Sequence, residues 1–201
     1  MSKKKSQQQI NHIRIIAGHW RGRKITFTNA PGLRPTGERI RETLFNWLAP
    51  YIETSHCLDL FAGSGSLGLE ALSRNALSVS FVDNNPKAIN EIHHNLQVLE
   101  ANNATTIHKN AFDYLSESSD ENSNSNFNII FVDPPYAQFH LSEISKQLEK
   151  LLHKQKQTWI FYEHDKPLKA NSLPCNWHIE KEKKAGNVFY YLIKRFKAIE
   201  T

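Results

Sequence analysis

The 201-residue sequence predicts an α/β fold: a mainly parallel β-sheet covered by helices on both faces, with antiparallel strands at one edge. Three observations carry this reading. From residue 56 onward, short apolar runs alternate with amphipathic stretches of helical period. The first run passes directly into a glycine-rich turn, Gly63-Ser-Gly65-Ser-Leu-Gly68, that opens a helix. The last two runs, which are rich in aromatics and lysines, are joined through Ala185-Gly186, a hairpin signal.

The elements follow in order. Residues 1–12 are polar and basic and read as a disordered tail. Residues 13–50 form an N-terminal extension. Two β-rich runs within 13–28 flank a Gly/Arg centre and predict a hairpin, and Ala30-Pro31-Gly32 is a turn. Thr36 then caps a helix carrying Ile40, Leu44, Phe45, Trp47 and Leu48, which Pro50 ends. Residues 51–201 make the main domain. Strands are expected in 56–62, 77–83, 104–110, 127–133 and 157–164, and a hairpin pair in 177–184 and 187–195. Helices are expected in 66–75, 86–101, 111–115 and 141–154. The Ser/Asn-rich segment 116–126 is a surface loop.

Composition narrows the function classes. At 39% hydrophobic and 22% charged residues, the chain has enough apolar material for a packed core. No apolar run approaches the roughly 20 residues that cross a bilayer, and the lysines near the N-terminus precede no apolar stretch, so no secretory signal is expected. Cys57 lies in an apolar run and reads as a core residue rather than half of a disulfide, which points to a reducing, cytoplasmic setting. No Cys/His spacing resembles a metal site. The net charge of +5 is unevenly spread: residues 1–50 hold ten Lys/Arg against Glu38 and Glu42, whereas the remainder is mildly acidic. Arg14, Arg21, Arg23, Arg34, Arg39 and Arg41 sit among aromatics and glycines, a pattern suited to a polyanion. No amphipathic apolar face accompanies this charge, so nucleic acid is favoured over a membrane.

The glycine loop marks a cofactor site. Gly63, Gly65 and Gly68 match the dinucleotide fingerprint, and Asp83 ends the next strand, where a carboxylate can accept from both hydroxyls of a ribose. Asn110, at the end of the third strand, has the donors and acceptors to face an adenine, or equally to close a turn. Two cofactors share an adenosine: a nicotinamide dinucleotide and S-adenosylmethionine. Asp59 leans toward the second, because a carboxylate suits an ammonium and repels pyrophosphate.

Asp133-Pro134-Pro135-Tyr136, ending the apolar run Ile129-Ile130-Phe131-Val132, decides between them. An exocyclic base amine is a poor nucleophile, because its lone pair is delocalised into the ring. Two acceptors on its N–H bonds favour a pyramidal nitrogen and aim the lone pair. The Asp133 carboxylate can be one acceptor, and the Pro134 carbonyl, pinned by the ring, the other. Tyr136 can stack on an extruded base. This is methyl transfer to a base nitrogen, with no metal required.

On these motifs the chain resembles the bacterial methyltransferases that modify guanine N2 in small-subunit (16S) ribosomal RNA, the RsmD type. Arg14-Ile-Ile-Ala-Gly18, Trp20-Arg-Gly-Arg23, Gly32-Leu-Arg-Pro-Thr36 and Arg39-Ile-Arg-Glu-Thr-Leu-Phe-Asn-Trp47 resemble the family's opening blocks, which are its more specific part. Asp59-Leu-Phe-Ala-Gly-Ser-Gly65 and Asp133-Pro-Pro-Tyr136 resemble its cofactor and catalytic motifs, which many methyltransferases share. The resemblance implies a Rossmann-like methyltransferase fold with a seven-stranded sheet, S-adenosylmethionine as cofactor, and the guanine-966 site of 16S rRNA as target, in the small subunit or its assembly intermediate. Gly63 and Gly65 would line the methionine side, Asp83 would bind ribose in place of the Glu of many relatives, and Asn110 would stand where relatives carry Asp. Asp133, Pro134 and Tyr136 would hold the guanine. A monomer is expected. The rival readings are a DNA adenine-N6 methyltransferase, a non-catalytic RNA-binding assembly factor on the same fold and, more distantly, an NAD oxidoreductase.

Overall fold

The computed structural model describes residues 10–28, 35–118, 126–135, 141–169 and 172–197. Most of the N-terminal tail, the turn at 30–32, Arg34, most of the 116–126 loop, and Tyr136 lie outside these residues.

A two-stranded antiparallel hairpin comes first, β1 (Ile10–Arg14) paired with β2 (Lys24–Thr28). Residues 10–12, read from sequence as tail, belong to β1, because backbone pairing with Thr26–Thr28 needs no apolar side chains. Helix α1 (Glu38–Leu48) follows. Then come β3 (His56–Asp59), α2 (Ser66–Ser73), β4 (Ser78–Asp83), α3 (Pro86–Val98), β5 (Ala104–His108), α4 (Ala111–Glu117), β6 (Ile129–Val132), α5 (Leu141–Leu151), β7 (Gln157–His164), β8 (Trp177–Ala185) and β9 (Val188–Phe196). The main sheet has the order β5-β4-β3-β6-β7-β9-β8. β3 to β7 are parallel, and β9 lies antiparallel between β7 and β8. This is the Rossmann-like α/β architecture, seven strands with a C-terminal antiparallel hairpin, that the sequence and its resemblance led us to expect.

Strand period sorts the core into two layers. Cys57, Ile129, Phe131, Trp159 and Phe161 face α1 to α3 and pack with Leu44, Phe45 and Leu48. Leu58, Ile130, Val132 and Ile160 face the other way, onto Leu115 of α4 and Ile144 and Leu148 of α5. Each such side chain contributes about 1.5–3 kcal/mol on full burial. Burial also pushes the Cys57 thiol up to about 12, so this residue is an inert core group, as read from sequence.

The N-terminal extension is not a loose arm. Ile15 and Ile25 share the core of Phe45 and Leu69. The wholly buried carboxylate of Glu70 on α2 accepts from Ile16 N (2.7 Å), Ala17 N (3.0 Å) and Arg74 Nε (2.7 Å), and lies 3.8 Å from Arg41 Nη1. Ser73 continues the seam: Trp20 N donates to its hydroxyl oxygen at 3.0 Å, and His19 N to its carbonyl at 2.7 Å. Here the chain passes so close to α2 that only glycine fits. A Cβ on Gly18 (φ +81°) would lie 1.8 Å from the Ser73 oxygen. On the next helix, Asn95 pairs with both backbone groups of Thr26, at 3.1 and 2.9 Å. These contacts anchor the segment that leads to residues 35–37, and those residues reach the site described next.

The helix expected after Thr36 begins one residue later than read. Gly37 is the N-cap of α1 and supplies no side-chain cap. The hydroxyl of Thr36 donates instead to Asp133, 97 residues away.

Candidate active site

Chain order reverses direction across the sheet at β3, which is flanked by β4 on one side and β6 on the other. The loops leaving β3 and β6 therefore share one crevice beyond the carboxyl ends of the strands. The glycine loop leaves β3, and the Asp133 segment leaves β6. The two strands are hydrogen-bonded neighbours, with Asp59 opposite Phe131.

Every turn of the glycine loop is tied down. Ala62 N donates to the Val82 carbonyl at 2.9 Å, and Gly63 N to Asp83 Oδ2 at 2.7 Å. Gly65, the N-cap of α2, holds φ +73°, and a Cβ there would sit 2.9 Å from Ile92 Cγ1. Gly68 N donates to Asp59 Oδ2 at 3.0 Å, joining the start of α2 to the end of β3.

The polar residues read from sequence fan along the strand ends. Asp59 ends β3 and is buried. Burial pushes its carboxyl up to about 7; the Gly68 N–H opposes the shift and the nearby Asp83 charge adds to it. Asp83 ends β4 half-exposed, its second oxygen accepting from Asn85 N at 2.8 Å. Asn110 follows β5 and caps α4, its Oδ1 accepting from Phe112 N at 2.8 Å. That oxygen is shared with the helix, so the amide nitrogen is the group of Asn110 better placed for a ligand.

Asp133 follows β6 directly. Its Oδ2 accepts from the Thr36 hydroxyl at 2.8 Å. Its carboxyl is held well above the usual range, first by burial and then by the negative charge of Glu163; Thr36 opposes this and Asp59 adds to it. Pro134 is buried and Pro135 exposed. A cavity of about 240 Å³ is lined by Pro35, Gly37, Glu38, Arg39 and Ile40 around the start of α1, by Glu163 of β7, and by Ala185 and Val188 of the hairpin. Thr36 and Glu163 are the two residues that sequence reasoning missed. For Glu163 a signal existed: it is an acid at the end of a run, Thr158 to His164, that is buried throughout.

The arginines separate into groups. Arg14, Arg21, Arg23 and Arg39 are exposed, and Arg23 Nη2 also donates to the Val98 carbonyl at the end of α3, at 2.9 Å. Arg34 lies outside the described residues. Arg41, read as RNA-facing, is a correction. Its guanidinium is 2% exposed, donates to the Arg14 carbonyl at 3.1 Å and faces Glu70, because the helical period places it on the core side with Leu44, Phe45 and Leu48. Among the described residues, no group of three or more His, Cys, Asp or Glu is placed to hold a metal ion, and no helix is long and apolar enough to cross a membrane.

Residues 13–194 match the family described as Conserved hypothetical protein 95. The ribosomal RNA small subunit methyltransferase D of Escherichia coli is 42% identical over 193 residues, covering 96% of this chain and 95% of that protein. The protein of the same name from Haemophilus influenzae is 43% identical over 197 residues, covering 96% and 98%. The solved structure named "Putative methyltransferase yhhF from Escherichia coli" superposes with a TM-score of 0.77 at 38% identity, covering 94% of this chain and all of that one.

Proposed function

Because the chain belongs to the ribosomal RNA small subunit methyltransferase D (RsmD) family, we propose that it is an S-adenosylmethionine-dependent methyltransferase acting on the exocyclic N2 of one guanine, the guanine-966 site, in 16S ribosomal RNA. The observation that carries this reading is the position of Asp133, with its Thr36 hydrogen bond, on the strand next to the glycine loop.

The residues present fit the cofactor. Gly65 keeps the loop free of a side chain, Gly63 and Gly65 would line the methionine end, Asp59 would meet its ammonium, and Asp83 and Asn110 would take the ribose and adenine. When bound, the cofactor supplies a methyl group on a sulfonium. Asp133 accepts one N–H of the guanine amine, the Pro134 carbonyl accepts the other, and Tyr136 stacks on the base. Thr36 fixes the Asp133 rotamer. The raised proton affinity of Asp133 suits it to take the proton the amine must lose once the new N–C bond has formed. Exposed Arg14, Arg21, Arg23 and Arg39, with Arg34, hold RNA phosphates and unpaired bases of the small subunit or its assembly intermediate. The protein works as a monomer in the cytoplasm.

Two outcomes are expected here. Arg21 and Arg23, neutralised together, weaken RNA binding and lower the magnitude of the slope of log affinity against log salt by about 1–2. An unchanged slope would remove the hairpin from the interface. The second outcome concerns pH. Asp59 stands at about 7 before binding, and an ammonium stabilises its charged form. Cofactor affinity therefore rises as pH rises toward and past 7, and falls by up to about tenfold per unit below it. Calorimetry across pH 6 to 8 measures this, and Asp59→Asn flattens it.

The reading itself is tested by supplying labelled S-adenosylmethionine with undermethylated small subunits, free rRNA or DNA, and identifying the product nucleoside by mass spectrometry. N2-methylguanosine in the subunit or rRNA supports it. Methyladenine in DNA supports the adenine-N6 rival, and absence of transfer supports the assembly factor.

A further inference from the structure

Glu163 has no part in the chemistry described so far, yet the fold sets it beside Asp133. β6 and β7 are parallel neighbours whose last paired residues are Val132 and Tyr162. Asp133 and Glu163 are the next residue of each, so they leave the sheet side by side, roughly 4.8 Å apart from strand to strand. Both follow the alternation that puts Phe131 and Phe161 on the α1 face. Glu163 is 4% exposed and lines the 240 Å³ cavity, whose other walls combine Pro35, Ile40, Ala185 and Val188 with the charged Glu38 and Arg39. The same entry segment carries Thr36, the hydrogen-bond donor to Asp133.

Two carboxylates on adjacent strand ends repel one another, a cost that a ligand donating a hydrogen bond to each offsets. An ionised carboxylate only accepts. The Watson–Crick edge of guanine offers adjacent donors, the ring N1–H and the N2 amine. Adenine offers one amine beside a bare ring nitrogen, which a carboxylate repels. We propose that Glu163 is a specificity-determining residue that accepts the guanine N1–H while Asp133 accepts from the N2 amine, so that the pair of strand ends reads guanine and excludes bases lacking a ring N–H. The inference rests on the guanine-N2 reading above and assigns to a named side chain the choice of base within it.

The test replaces one atom of the substrate. Small subunits are reconstituted with rRNA carrying either guanine or 2-aminopurine at the target position. 2-Aminopurine keeps the N2 amine and loses only the N1–H and O6. The wild-type protein transfers methyl to guanine on the order of 10²-fold faster, in kcat/KM, than to 2-aminopurine. Glu163→Gln, whose amide can also donate, narrows that preference to within a few-fold while leaving S-adenosylmethionine affinity unchanged. Equal wild-type rates on the two bases overturn the proposal without touching the guanine-N2 reading, and so does a Glu163→Gln protein that keeps the full preference. Absence of N2-methylguanosine with the guanine substrate overturns both. Should Glu163→Gln not fold, Glu163→Asp, which keeps the charge but shortens the reach, takes its place: a lowered guanine preference is expected, and an unchanged one overturns the proposal.

Discussion

Asp133→Ala lowers kcat for methyl transfer by on the order of 10³-fold or more, while the Kd for S-adenosylmethionine stays within a few-fold of wild type. The asymmetry follows from position. Asp133 leaves β6, whereas the residues proposed to hold the cofactor are Asp59 and Asp83, which end β3 and β4, and Gly63 and Gly65, in the turn after β3. Removing the carboxylate takes one of two acceptors from the amine and the nearest proton acceptor from the product. Asp133→Asn separates charge from shape: the amide oxygen can still accept from Thr36, but the group neither carries charge nor takes a proton, so activity is lost with little change in fold. Thr36→Val releases the Asp133 rotamer and costs roughly tenfold, because the hydroxyl donates to Asp133 and acts through it. Isothermal titration and single-turnover kinetics on the same samples measure both quantities. Parallel losses of binding and rate in Asp133→Ala would assign the residue to the architecture of the crevice instead of the chemistry.

Glu70→Ala destabilises the protein by about 3–5 kcal/mol. The carboxylate is wholly buried and takes two backbone N–H groups of the N-terminal extension and the Arg74 side chain, with the buried Arg41 guanidinium 3.8 Å away. Its removal takes from the buried Arg41 its strongest counter-charge, leaving only the more weakly coupled Glu38, and leaves Ile16 and Ala17 without their acceptor. For a chain of this length the melting temperature should fall by roughly 10 °C. Glu70→Gln should fall less, since an amide oxygen still accepts from one backbone N–H. Hydrogen exchange should rise at residues 15–20 ahead of the rest of the chain. A melting temperature within 2 °C of wild type, by about the same scale, would mean that the hairpin is held by Ile15 and Ile25 alone.

How much of this was legible in the sequence depends on whether the partner of a residue was local. β7 is legible with the bounds observed, because Gln157–His164 centres on the apolar and aromatic run Trp159–Tyr162. The C-terminal hairpin and the strand–loop–helix at Asp59 to Ser73 were read from turn chemistry and period, both local properties. Thr36 was misassigned for the converse reason. A threonine ahead of an amphipathic helix has the local signature of a cap, and only the fold brings Asp133 within 2.8 Å of it. Arg41 sits in a cationic stretch and looks like a phosphate contact. Its burial depends on Glu70, on a different helix. β1 begins at Ile10, earlier than the sequence suggests, since Ile10 to His12 carry no strand-like alternation and are placed by their register with Thr26 to Thr28. Glu163 could have been flagged as an acid within an apolar strand, but its neighbour in space is fixed by the strand order β6-β7 and the register Val132 to Tyr162.

The account stands on one geometric claim, that the methyl donor and the target amine meet in the crevice between the β3 and β6 loops. A crystal structure of the protein with S-adenosylhomocysteine tests it most directly. The account predicts the amino-acid end against Asp59 and the Gly63–Gly65 turn, the ribose at Asp83, and the sulfur open toward Asp133. A ligand bound elsewhere, or one whose sulfur is walled off from Asp133 by protein, would contradict it.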